Sequence, residues 1–137
     1  MRFMIIVKAS ADSEAGEMPQ EEVLNAMQKY HEELQKAGVL RDAVGLQSSA
    51  RGWRIHYDGD QRNLVEGPFG EASDLFAGYT IIQVRTREEA IEWTKRFPNP
   101  SVGNQRAEIE VRQMFEVQEN NPDENLDILS QMGVVIK

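Results

Sequence analysis

One ordering of elements constrains this chain more than any other feature. The apolar strand "RFMIIVKA" leads through a polar loop to an amphipathic helix and a second strand. After a hairpin, the strand "GYTIIQVR" leads to another helix and a last strand. Two β-α-β runs separated by a hairpin describe an α+β chain on the split βαβ, or ferredoxin-like, plan, with the β-hairpin inserted at its middle. Both helices of that plan cover one face of an antiparallel sheet, so the other face needs a cover of its own. An apolar open face of this kind usually means a second subunit.

The local signals give each element its bounds. "SADSEAGEM" is polar and reads as a loop. Pro19 suits the first turn of the first helix, with Gln20, Glu21 and Glu22 near its positive end and Gly38 beyond its last turn. Val23, Met27, Tyr30 and Leu34 form its apolar stripe, with Leu24 and His31 beside them. In "GWRIHYDGDQRNLV" the turn falls at Asp58-Gly59, with Trp53, Ile55 and Tyr57 on one face and Arg54 and His56 on the other. Thr86-Arg87-Glu88-Glu89 is a capping box, and Pro98 and Pro100 stop the helix that follows it. Trp53, Trp93 and Phe97 are expected in the core. Ile109 and Val111 alternate with charged neighbours in a half-buried last strand.

Composition narrows the function classes. At 137 residues the chain is long enough for one domain with its own core. It has no cysteine, which removes thiol catalysis, disulfides and thiolate metal sites. A net charge of −8 repels phosphate backbones and argues against direct nucleic-acid binding. The apolar run Phe3–Val7 is too short for a membrane span or a signal-peptide core, which leaves a cytoplasmic protein as the default.

Glu66-Gly67-Pro68-Phe69, followed by Glu71 and by Ala77-Gly78-Tyr79 opening a strand, resembles the DGPF-domain branch of the YCII-related family. "EELQKAGVL", Gly45-Leu46 before a serine pair, "EEAIEWTKRFPNP" and "EIEVRQMFE" stand in the same order. The resemblance covers about residues 1–117, leaving 118–137 as an extension that would dock on a partner subunit. It implies a dimeric α/β barrel, a homodimer in which two ferredoxin-like subunits press their sheets together. It implies little about activity; some relatives are encoded beside, or fused to, alternative sigma factors, and a His–Asp pair has been suggested as catalytic in shorter relatives. This chain departs from the pattern where chemistry would be sought. Glu66 replaces the usual aspartate, Val44 stands where an acid is usual, Gln47 where a histidine is, and Ser48 where a proline is. The first-helix histidine of the shorter relatives falls near Ala26 and not at His31.

Candidate site residues follow from charge and placement. "EGPFGE" is either a geometric corner or a device presenting Glu66 and Glu71 to a cleft between sheet and partner, where a desolvated carboxylate could move a proton. Arg54 and His56, two apart on a strand, point the same way and could hold an anion; the alternative is a solvated strand face. Asp42, beside Arg41, is a second candidate base. His31 and His56 lie on different elements without metal-ligand spacing, so no metal or other cofactor is expected. The reading that results is a small-ligand-binding protein, with anions among the candidate ligands. An acid/base enzyme and a regulatory interaction module are the alternatives.

Overall fold

The computed structural model describes residues 1–70, 74–116 and 132–133. Among these residues six strands and three α-helices follow one another as β1 (Arg2–Lys8), α1 (Ala11–Glu14), α2 (Glu21–Lys36), β2 (Leu40–Gly45), β3 (Trp53–Asp58), β4 (Gln61–Glu66), β5 (Phe76–Gln83), α3 (Arg87–Lys95) and β6 (Ile109–Gln113). β2, β5, β1 and β6 form a four-stranded sheet in that order, and β3 pairs with β4 in a separate ribbon. Each pairing in the larger sheet is antiparallel. The mixed α/β architecture is compatible with the ferredoxin-like plan. The extension beyond residue 117 lies outside the described residues apart from Met132 and Gly133, as does Glu71.

Register assigns the faces, because residues paired across an antiparallel ladder share a side. Phe3 lies opposite Ile82 and Ile5 opposite both Thr80 and Val111. Their side chains meet Tyr30 and Leu34 of α2 and Ala90 of α3 in the core. The opposite face carries Met4, Ile6, Tyr79, Ile81 and Val44, none of which joins that core. An inserted residue, Arg41, sits between the pairs Leu40–Ile82 and Asp42–Ile81, as in a β-bulge.

The helices begin and end as their sequences dictate, with small differences. α2 starts at Glu21, so Pro19 precedes its Gln20 cap instead of entering the first turn. At the far end Gly38 N–H donates to Gln35 O at 3.0 Å and Val39 N–H to Leu34 O at 3.1 Å, the two bonds of a Schellman motif. Thr86 Oγ1 accepts from Glu89 N–H at 3.1 Å, while the Glu89 carboxylate reaches past the cap to Arg85 N–H at 3.0 Å. The expected loop before α2 contains one helical turn, α1. It is nucleated by reciprocal Ser10–Ser13 hydrogen bonds that cap its first amides.

The ribbon departs from expectation in two respects. Its loop residues are Gly59 and Asp60, flanked by the pair Asp58–Gln61, so the turn sits one residue later than Asp58-Gly59. Gly59 has φ +60° and Asp60 does not, the φ pattern of a type II′ turn with glycine in its first central position. Trp53 is 63 % exposed and Tyr57 67 % exposed, so Trp53 is not a core residue. Alternation places it correctly on one face with Ile55 and Tyr57, but all three side chains of that face are exposed. Trp93 and Phe97 do pack against the core, where Tyr30 meets both rings edge-on.

Candidate functional site

The apolar stripe of α2 divides at mid-helix. Tyr30 and Leu34 enter the core, whereas Val23, Leu24 and Met27 line a cleft of ≈ 790 Å³. The ends of β1, β2 and β5 form its sheet side, residues 9–20 one wall, and parts of the segment 97–108 another. That volume suits a small organic molecule. His31 continues the row Val23–Met27 at four-residue spacing, which brings it to the cleft on the same side of the helix.

Two polar contacts hold the His31 ring. Nδ1 lies 2.7 Å from Met27 O, and Nε2 lies 2.8 Å from Thr80 Oγ1. Thr80, in the middle of β5, is 3 % exposed and lines the cleft with His31. The edges of Tyr30 and Phe97 approach the same ring at 5.8 and 6.5 Å between centroids. The imidazole is thus fixed in orientation, and a carbonyl, a hydroxyl and two aromatic rings fix it.

Charge gathers at the rim. Lys8 Nζ lies 2.6 Å from Glu108 Oε1 and 3.8 Å from Glu110 Oε1. The hydrogen bond raises the Lys8 pKa and lowers that of Glu108 from their ordinary values. Arg106, Asp12 and Glu17 also line the cleft, making two cations and three carboxylates with Lys8 and Glu108.

The residues singled out from sequence lie elsewhere. Asp42 is paired with Ile81, so it stands on the sheet face opposite Thr80, where Tyr79 Oη–H donates to its Oδ2 at 3.4 Å. Arg41 forms no ion pair with it; its guanidinium donates to Gln83 Oε1 and to the carbonyls of Gly38 and Leu40. Arg54 and His56 do share a face of β3, but the Arg54 guanidinium sits over the Phe69 ring at 4.1 Å, and His56 is exposed opposite Asn63. Glu66 ends β4 in an exposed position. None of these five lines the cleft.

The Glu66–Phe69 corner is explained by packing. Gly67 N–H donates to Gly52 O at 3.0 Å, and a Cβ on Gly67 would lie 1.8 Å from Ser49 O. Ser49 is the hub: its N–H donates to Glu14 Oε1 at 3.0 Å, its hydroxyl to Glu14 Oε2, and Phe69 N–H donates to Ser49 Oγ at 3.0 Å. Ser48 Oγ–H adds a bond to Glu14 O at 2.6 Å. The Ser49 hydroxyl foremost, and then the Ser49 N–H, lower the Glu14 pKa. Glu14 belongs to the segment that walls the cleft, so the corner and the wall are tied through two serines.

Sequence reasoning placed His31 at the edge of a helix stripe and treated Thr80 as an ordinary strand residue. Its signal was the i, i+4 row, but the partner stands 49 residues away. Among the described residues no group of His, Asp and Glu is arranged to hold a metal ion. No helix there is long and apolar enough to cross a membrane.

Sheet, helices and cleft together define a mixed α/β protein with a pocket of small-molecule size between α2 and the sheet. The chain belongs to the YCII-related family, whose domain model matches residues 1–116. No curated protein matches it. Among solved structures it is similar to 5-chloro-2-hydroxyhydroquinone dehydrochlorinase from Burkholderia phenoliruptrix AC1100, in complex with 2,5-dihydroxybenzoquinone. Identity there is 14%, the match covers 83% of this chain and 93% of that one, and the TM-score is 0.42.

Proposed function

We propose that this protein binds a small organic molecule in the cleft between α2 and the sheet, with the His31–Thr80 pair as its polar anchor. The observation that carries the reading is a largely apolar cavity of ≈ 790 Å³ with one oriented imidazole on its helix side and one buried hydroxyl on its sheet side. Such pockets bind by apolar contact and select by a few fixed polar groups. The expected anion site at Arg54 and His56 has no comparable enclosure, since β3 is exposed along its length. The subunit pairs with a second copy through the sheet face that carries Met4, Ile6, Tyr79, Ile81 and Val44, giving a dimeric α/β barrel. Support for that assembly is the apolar centre of this face, opposite the one the helices cover.

A thermal-shift screen of small organic molecules tests the reading, because a ligand that binds only the folded state raises the melting temperature. Hits should lose their effect in Ala107→Trp, which places an indole in the cleft from an exposed loop position. They should keep it in Asp42→Asn and Glu66→Gln. Hits that survive Ala107→Trp and fail in Glu66→Gln would move the site to the corner.

A further inference from the structure

The hydrogens at the His31–Thr80 pair decide what the cleft can offer a ligand. A carbonyl oxygen only accepts, so the 2.7 Å contact with Met27 O requires a hydrogen on Nδ1. In the neutral imidazole Nε2 is then bare, and at 2.8 Å it accepts the hydrogen of the Thr80 hydroxyl. That hydroxyl has a single hydrogen and has now committed it. Thr80 Oγ1 makes no other hydrogen bond among the described residues, so it keeps lone-pair capacity, and Thr80 lines the cleft. The buried anchor is an acceptor without a donor.

The surroundings narrow the ligand further. Val23, Leu24, Met27 and Phe97 line the cavity and favour an apolar body. Its charged lining residues are two cations against three carboxylates, and one of those cations, Lys8, is already held by Glu108. Little there would offset the desolvation of an anion.

We infer that the ligand is a small, mainly apolar alcohol or phenol whose O–H donates to Thr80 Oγ1. This rests on the cleft reading above and adds the chemical class. An ether of the same shape would set acceptor against acceptor and leave both unpaired, which is where hydrogen-bonding sites discriminate most strongly.

The test titrates 4-methylphenol, 4-methylanisole and toluene into the wild-type protein by NMR at about pH 8. The phenol should bind at least about tenfold more tightly than its methyl ether. Thr80→Val should bring that ratio close to one, and Thr80→Ser should restore it. Should Thr80→Val not fold, the wild-type series decides alone. Equal affinity of phenol, ether and toluene would overturn the donor requirement and leave the cleft reading standing. If none of the three binds while the screen yields a ligand blocked by Ala107→Trp, the alcohol class is wrong and the cleft is right. Failure of both the probes and the screen would remove both.

Discussion

Gly67 is a residue whose requirement can be stated in ångströms. Its φ is not positive, so the strain argument usual for glycine in a corner does not apply. The constraint is the Ser49 carbonyl, which occupies the place of a Cβ and is itself held between Glu14 and Phe69. Gly67→Ala should therefore destabilise at the upper end of the roughly 1–3 kcal/mol typical of overpacking, measured by denaturant unfolding. Glu14 offers a test with a definite sign. Its folded pKa lies below the ordinary glutamate value, so its contribution is complete above that ordinary value and fades as pH falls through the folded one. Wild type should melt above Glu14→Gln by a constant margin near neutrality, and the margin should shrink below about pH 4.5. A margin that persists in acid would mean the carboxylate charge is not what binds the serines.

At the scale of elements, the β3–β4 ribbon is open to direct test. Three or four flexible residues inserted between Gly59 and Asp60 should change stability by less than about 1 kcal/mol, since lengthening a surface turn costs little loop entropy. Loss of folding would show that the turn is coupled to the sheet. The same element marks where sequence stops being informative. Period-two alternation identified both ribbon strands and grouped Trp53 with Ile55 and Tyr57, because alternation records which residues share a face. It contains nothing about what covers that face, and Trp53 is exposed. The helices and main strands were legible because stripe, cap and stop signals are local. The Schellman end of α2 and the cap of α3 fall where those signals put them. The cleft was not legible: Asp42 and Thr80 both lie in the sheet, and only the pairing of Asp42 with Ile81 reveals that they face opposite sides.

At the scale of the molecule, the proposed homodimer makes its own prediction. An obligate interface through that sheet face would bury on the order of 2,000 Å² or more. Light scattering at micromolar concentration should report twice the mass of a 15.6 kDa chain, and Ile81→Glu should halve it while leaving the secondary structure intact. A wild-type monomer would sink the barrel. The ribbon has a different consequence at this scale. Among the described residues it shares no strand pairing with the larger sheet, and its two stems already touch where Gly67 N–H meets Gly52 O at 3.0 Å. Residues 53–66 are in effect a closed side-circuit on a chain that could run straight from Gly52 to Gly67 through a short link. A protein shortened in that way should keep its sheet, its cleft and the Glu14–Ser49 tie, while shedding the exposed Trp53 and Tyr57. Whatever the arm meets could then change without the pocket having to change with it.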